Sequence, residues 1–138
     1  MKKKTITTFV FIIGLFMFSM ISGFRAFDTQ EPWPVPENYK KMRNPVAVDP
    51  ASIAEGKTLY ATHCKSCHGA KGLGDGSKAP QLKTEPGDFS KPAFQAQTDG
   101  ALFYKTTEGR EDMPGFKKKV PDPDERWAMV NFMRTLKK

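Results

Sequence analysis

The first apolar stretch of the chain extends from Ile6 to Phe24 and contains no charged residue. Three consecutive lysines stand shortly before it. Basic residues followed by an apolar run are typical of a segment that targets the following chain across a membrane. The run is longer than the core of a cleaved signal peptide, about 7 to 15 residues, and close to the roughly 20 residues of a spanning helix. We therefore predict a hydrophobic helix in residues 1–26 that anchors the chain through residues 5–24, with a cleaved signal peptide as the alternative.

A proline-rich stretch follows, in which apolar residues show neither helical nor strand periodicity. It contains four prolines, at positions 32, 34, 36 and 45. Because proline fixes its own backbone torsion and gives an extended, semi-rigid chain where it is frequent, the sequence predicts a linker over residues 27–48.

Helical periodicity begins at Asp49 and Pro50. Aspartate is a favoured N-cap, and proline is tolerated at the first helical position. Apolar and small residues then recur at spacings of three and four, which places them on one helical face. These residues are Ile53, Gly56, Tyr60, Cys64 and Cys67. Gly69 is expected to end this helix.

Two more helices are predicted, one over residues 100–108 after a cap at Thr98, and a last one after a cap at Asp122. Their apolar sides consist of Leu102, Phe103 and Thr106 in the first, and Trp127, Val130, Phe132, Met133 and Leu136 in the second. Glycines and prolines between the helices indicate loops. No stretch alternates as a strand does, so the predicted fold class is all-α, with one domain over residues 49–138.

The charge of the chain is concentrated at its start. The net charge is +7, but four of the 22 basic residues and none of the 15 acidic residues precede Phe27. The rest of the chain therefore has only a mild basic excess, which does not indicate a nucleic-acid partner. A domain of about ninety residues is also small for a self-sufficient core, so we expect it to depend on a buried cofactor for folding.

Candidate chemistry is concentrated in the pentapeptide Cys64-Lys65-Ser66-Cys67-His68, which contains the only two cysteines of the chain. Its C-x-x-C-H spacing is typical of c-type haem attachment. Two thiols on one turn of backbone can form thioethers with the two vinyl groups of a haem. The histidine that follows, His68, can then supply the proximal ligand of the iron.

Three other readings of the cysteine pair are weaker. A thioredoxin-type dithiol would need a preceding strand, and the flanking residues predict helix and loop instead. A zinc site would have to draw all four ligands from six consecutive residues, since His63 and His68 are the only histidines. A disulfide between residues three positions apart would be strained and would stabilise little.

The sixth ligand of a haem iron would have to come from elsewhere in the chain. His63 adjoins Cys64 and therefore lies on the proximal side, which makes ligation by two histidines unfavourable. Met129 and Met133 are four residues apart on the last predicted helix and are interpreted as core residues. Met113 lies in a loop directly before a proline, which can hold its thioether towards a metal, so Met113 is the predicted distal ligand.

Taken together, these motifs resemble the class I c-type cytochromes over residues 49–138. The matching positions are Gly56, Tyr60, the pentapeptide from Cys64, Gly69, Gly72, Gly74, Gly76, Ala79-Pro80, Gly109, Met113-Pro114 and the run from Trp127 to Leu136. The resemblance implies a small cytochrome c fold in which helices surround one covalently bound haem c. It further implies that Gly56 admits an aromatic residue of the last helix, Phe132 in particular. It also implies that the carbonyl of Pro80 accepts the second imidazole proton of His68.

The function implied by the resemblance is electron transfer. The chain would carry single electrons between respiratory-chain partners, either free or as a membrane-tethered subunit of a larger redox complex, and it would not be an enzyme by itself. We expect an extracytoplasmic location, on the periplasmic side of the inner membrane. Lysines near the haem edge would steer the carrier to acidic partners, although a merely solvated surface explains them equally well. The alternative is a gas sensor or peroxidase-like enzyme from which Met113 dissociates.

Overall fold

The structure is a computed structural model that describes residues 32–138, and residues 34–138 form one compact unit. Its helices are α1 (Glu37–Lys40), α2 (Pro50–His63), α3 (Lys65–His68), α4 (Pro92–Gln95), α5 (Asp99–Glu108) and α6 (Pro123–Thr135), with a 3-10 turn at Ala79–Gln81. Within the described range there is no strand, only an isolated bridge between Arg110 and Met113. The mainly helical fold is confirmed, whereas the predicted N-terminal helix lies outside the described residues. None of the helices from residue 32 onward is long and apolar enough to cross a bilayer.

The helix starts are set by local caps, as predicted. The Asp49 carboxylate accepts a hydrogen bond from the amide of Ser52 at 2.8 Å, and the Thr98 hydroxyl accepts one from the amide of Ala101 at 3.2 Å. Asp122 caps α6 in the same way. These side chains satisfy amides that have no partner within the helix.

The first predicted helix is divided in two. Helix α2 ends at His63. Cys64 is both the C-cap of α2 and the N-cap of the short α3, and α3 ends at Gly69, which has a φ of 80°. Since every other residue type is strained at that φ, Gly69 ends the helical region as expected.

Helices α2 and α6 cross with their backbones in direct contact at Gly56. A Cβ atom added to Gly56 would lie 2.0 Å from the carbonyl oxygen of Ala128 and 3.0 Å from the amide nitrogen of Met129. The nearest atoms are therefore backbone atoms of α6, and close approach of the predicted partner, Phe132, to Gly56 stays a prediction. The Phe132 ring packs against that of Tyr60, with centroids 5.1 Å apart. Backbone contact at this crossing makes a side chain at position 56 impossible without separating the helices.

Helix α6 supplies more of the hydrophobic core than any other described helix and is buried over two full turns. The buried apolar residues of α6 are Trp127, Ala128, Met129, Val130, Phe132 and Met133. Helix α5 packs against it through Phe103, whose ring stacks on Trp127 at 4.0 Å. The predicted inner face of α5 is confirmed, because Leu102, Phe103 and Thr106 are all buried.

The second part of the predicted linker packs against the helices. In this segment, residues 34–48, which we call the strap, the ring of Tyr39 contacts that of Tyr104 at 4.8 Å. A Cβ atom on Gly100 would lie 1.9 Å from the carbonyl oxygen of Tyr39. The strap therefore lies directly on α5, whereas the sequence predicted a semi-rigid linker over residues 27–48.

Asn131 joins the strap to two helices. Its side chain is 1% exposed and donates to the carbonyl of Ala47 and the hydroxyl of Ser52, both at 3.1 Å. Its amide oxygen accepts a hydrogen bond from Asn44 at 2.7 Å. A single buried amide in α6 thus satisfies polar groups of the strap and of α2.

Replacing Asn131 with leucine, which is similar in size, is expected to loosen the strap. The change removes the hydrogen bonds that Asn131 makes with Asn44, Ala47 and Ser52, at a cost of about 2 kcal/mol. Limited proteolysis with trypsin, which can cut the strap after its basic residues, should then be about tenfold faster in native conditions. Asn38→Ala is the matched control, because Asn38 is an exposed strap residue. Equal cleavage of the Asn131 variant and the parent would contradict the role of Asn131.

Candidate functional site

The two cysteines and His68 lie on a single turn of backbone. The amide of His68 donates to the carbonyl of Cys64 at 2.9 Å, so this turn closes on the first cysteine. Both cysteines are free thiols, Cys64 buried and Cys67 half-buried. Burial, together with the neighbouring Cys67, raises the pKa of Cys64 to about 12. The buried thiol is thus protonated at neutral pH, as expected of an apolar environment.

A glycine-rich loop wraps around this turn. The amides of Gly74, Gly76 and Lys78 donate to the carbonyls of His68, Cys67 and Ser66 respectively, at 2.9, 3.1 and 2.8 Å. These three bonds fix successive carbonyls of the motif. We call the loop, residues 69–78, the glycine belt.

Two glycines of the belt lie so close to other backbone segments that no side chain fits. A Cβ atom on Gly76 would lie 2.4 Å from the carbonyl oxygen of Ser66, and one on Gly74 would lie 2.1 Å from that of Pro86. A side chain at position 76 would push the belt away from the motif, and one at position 74 would push it away from Pro86. The belt therefore holds the turn that carries the two cysteines and His68.

The imidazole of His68 packs against an aromatic ring. The Phe89 ring lies 4.5 Å from the His68 ring, and Phe94 stacks on the other side of Phe89 at 4.2 Å. Burial lowers the pKa of His68, and the backbone of Gly87 opposes this effect to a smaller extent. A neutral imidazole is the form that binds a metal.

One nitrogen of this imidazole lacks a hydrogen bond. Among the described residues, Nδ1 of His68 is the buried side-chain polar atom without a partner of normal geometry. Pro80 lies in the exposed 3-10 turn, and Gly87 is the residue whose backbone influences the pKa of His68. The role of the Pro80 carbonyl thus stays a prediction, and Gly87 is a second carbonyl beside the ring.

The loop that carries Met113 has a tightly fixed backbone. Arg110 and Met113 exchange two hydrogen bonds between their amides and carbonyls, each 2.9 Å long. Gly109 has a φ of 71°, and a Cβ atom there would lie 2.5 Å from the carbonyl oxygen of Met113. Glu111 adopts a φ of 53°, which is uncommon for a residue other than glycine. Met113 is thereby half-buried on a rigid turn.

The acidic residues next to Met113 bind a neighbouring loop. The carboxylate of Asp112 accepts a hydrogen bond from the amide of Lys83 at 2.6 Å, and that of Glu111 accepts one from the hydroxyl of Thr84 at 2.9 Å. These contacts connect the Met113 turn with the chain that follows Pro80. Both carboxylates therefore have hydrogen-bond partners in that loop.

The roles of two residues near the site were not predicted from the sequence. Phe89 was placed in a loop, and no contact with His68 was expected. His63 was considered only as a possible ligand, whereas the His63 ring packs against that of Phe116 with centroids 5.7 Å apart. Phe89 and Phe94 are the aromatic residues of the stretch 79–97. Their presence in an otherwise polar segment was the one signal that this loop packs inward.

These residues fit a haem. The site combines two free thiols with a half-buried imidazole, whose Nδ1 atom is buried, all on one turn. In residues 32–138 no group of three or more His, Cys, Asp or Glu side chains could bind a metal ion by itself. The donor set can therefore attach a macrocycle through Cys64 and Cys67 and supply one axial nitrogen through His68.

Comparison with known proteins agrees with this chemistry. The family profile described as cytochrome c matches residues 53–137. A curated relative, the cytochrome c subunit of the cytochrome bc1 complex of Corynebacterium diphtheriae, is 24% identical over 100 residues. The match covers 72% of this chain and 31% of the relative, so the chain spans about a third of that protein's length.

Two solved structures are similar to the fold. One is a chain of the Kuenenia stuttgartiensis reducing HAO-like protein complex Kustc0457/Kustc0458, with a TM-score of 0.63 and 27% identity over 82% of this chain and 54% of the other. The second is the KustC0563 c-type cytochrome, with a TM-score of 0.53 and 33% identity. It is covered over 98% of its length and matches 60% of this chain.

Proposed function

Because this chain belongs to the cytochrome c family, we propose that it is an electron carrier with one haem c, attached to Cys64 and Cys67 and ligated by His68 and Met113. The observation that supports this most directly is that the half-buried imidazole of His68 lies on the same turn as two free thiols. The family and the relatives in redox complexes support electron transfer in general, and the ligand set is our proposal.

The residues around His68 act by orienting it. When bound, the haem supplies a one-electron couple between ferric and ferrous iron. The glycine belt fixes the carbonyls of the motif, and Phe89 packs against the imidazole, so these contacts would restrict His68 to one orientation. Burial keeps the imidazole neutral and thus able to donate its nitrogen lone pair.

The turn of Met113 contributes rigidity on the proposed distal side. Its two backbone hydrogen bonds and the side-chain contacts of Glu111 and Asp112 restrict the position from which the thioether is presented. A thioether ligand opposite histidine raises the reduction potential of haem. A site that changes oxidation state without moving its ligands suits an electron carrier better than an enzyme.

We propose redox proteins as partners and a place on the outer side of the inner membrane. Exposed lysines close to the motif and after the Met113 turn can form a basic rim for acidic partners. They are Lys65, Lys71, Lys78, Lys117, Lys118 and Lys119. The relative in a bc1 complex makes respiratory donors and acceptors the first to test. Residues 5–24 would tether the chain on the periplasmic side.

Spectra of Met113→Ala test the ligand assignment. The ferric parent should have the weak thioether-to-iron charge-transfer band and a low-spin spectrum, and the variant should lose the band. Met42→Ala is the control, because Met42 is an exposed methionine of the strap and its loss should leave the spectrum unchanged. A high-spin parent spectrum that the Met113 substitution leaves unaltered would favour the gas sensor or peroxidase-like enzyme instead.

A further inference from the structure

A buried arginine lies behind the Met113 loop without an acidic partner. Arg126 is in the first turns of α6 and is only 5% exposed. The ion pairs of the described residues do not include it. Its guanidinium lies over the ring of Phe103 at 5.4 Å. This is a fixed positive charge in the interior, and electron transfer as described above does not use it.

The hydrogen bonds of Arg126 join the two ends of one loop. Residues 109–122 connect α5 with α6 and carry Met113. On the α5 side, Nε donates to the hydroxyl of Thr107 at 3.2 Å. On the α6 side, Nη1 donates to the carbonyl of Pro121 at 3.0 Å and also to that of Val120. One planar group therefore closes the loop at its base.

The middle of the loop depends on the same residues. The amides of Phe116 and Lys117 donate to the carbonyls of Thr106 and Thr107, at 3.0 and 3.3 Å. Val120 is almost completely buried, and its amide bonds back to Phe116 at 2.8 Å. A shift of either loop end would consequently be transmitted to the turn that presents Met113.

Stability alone does not account for an arginine at this position. Removing a guanidinium from water is costly, and well-packed apolar residues often stabilise a core as well as a buried charge does. What arginine offers in addition is several donors in one rigid plane, which can bind separate carbonyls at the same time. Arg126 is therefore useful here because its planar group can hold several backbone groups of the loop in fixed positions.

We propose that Arg126 is a positioning residue for Met113: it closes the base of the 109–122 loop and so holds the thioether at the iron. This inference rests on the proposed ligation by Met113. Arg126 would thus keep the Met113 thioether bonded to the iron, although it contacts neither Met113 nor the haem attachment motif. Loss of Arg126 is expected to let Met113 leave the iron more often and to open the distal side to small ligands.

Imidazole binding to the ferric holoprotein measures this directly. Arg126→Met removes every donor but keeps a long unbranched side chain, and it should bind imidazole about tenfold more tightly than the parent. Its charge-transfer band should also disappear on heating well before the helices unfold by circular dichroism. Arg126→Lys keeps the charge and part of the hydrogen bonding, so it should fall between the two. If Arg126→Met yields no holoprotein, the imidazole affinity of Arg126→Lys is compared with that of the parent instead, and equal affinities would overturn the proposal.

Arg134→Met is the matched control. Arg134 is on the same helix and also donates to backbone carbonyls, those of Gln95 at 2.9 Å and Gln97 at 2.6 Å, but these belong to the segment before α5. This variant should be less stable overall, yet bind imidazole within about twofold of the parent. Equal tightening in both variants would mean general loosening and would overturn the proposal, as would an unchanged Arg126→Met.

The parent protein separates this inference from the proposed function. A ferric parent without the charge-transfer band would refute ligation by Met113 and the positioning role with it. A parent with the band and an Arg126→Met variant that retains the parent's imidazole affinity would refute only the role of Arg126. Hydrogen exchange gives a readout that needs no ligand. Amides of residues 110–120 should exchange about tenfold faster in Arg126→Met than in Arg134→Met, and equal rates would also overturn the proposal.

Discussion

Replacing Cys64 and Cys67 together with alanine is expected to abolish covalent haem attachment completely. Both thiols are free and lie on the turn that His68 closes, so they are positioned as the two thioether donors. With both removed, any remaining haem is bound by axial ligation and packing alone. Haem should then be extracted by acidified organic solvent, and a haem stain of the denatured protein on a gel should fall from full intensity to background.

Ser66→Ala provides the control for that experiment. Ser66 lies between the two cysteines and is exposed, and its hydroxyl makes only a 3.8 Å contact with the Cys67 sulfur. The variant should keep the full amount of covalent haem. Haem that remains resistant to extraction in the double cysteine variant would exclude this pair as the attachment site.

Replacing Gly56 with valine is expected to cause a large loss of stability. The first added atom already lies 2.0 Å from the backbone of Ala128, and backbone cannot rotate away as a side chain can. Valine's gain over glycine in helix propensity is a fraction of 1 kcal/mol. The cost of forcing the crossing apart is greater, about 4 kcal/mol, above the usual range for overpacking.

Such a loss is a large part of the 5 to 15 kcal/mol that stabilises a typical domain. It should lower the melting temperature by about 20 °C, as measured by circular dichroism on the holoprotein. Gly87→Ala is the control, since no atom lies within 4 Å of the Cβ position of Gly87. An equal effect at both positions would show that the α2–α6 crossing does not depend on a missing side chain.

The features that the sequence predicted correctly depend on short-range interactions. A cap at Asp49, Thr98 or Asp122 acts within three residues of its own position, so its effect is visible in the local sequence. The attachment motif is equally local, because two cysteines and a histidine share one turn. For the same reason the buried face of α5 could be identified from residue spacing alone.

The features that the sequence did not predict depend on contacts between distant residues. The strap has the composition of a linker, and only Asn131, more than eighty positions further along, gives its carbonyls a buried partner. The family resemblance implied an aromatic side chain of the last helix as the neighbour of Gly56. The atoms nearest to the Cβ position of Gly56 belong instead to the backbone of Ala128 and Met129. Arg126 gave no signal, since its partners lie on two different segments.

If the chain is anchored through residues 5–24, as proposed above, the strap would limit how far the domain can travel from the membrane. A linker reaching to residue 48 could extend about 80 Å. Because the strap packs on the domain from residue 34 onward, the reach of the domain would be much shorter than that. Electrons could then be exchanged only within a shallow layer above the lipid. Partners that rise little above the same bilayer would be within range, and a distant soluble acceptor would have to come to the carrier.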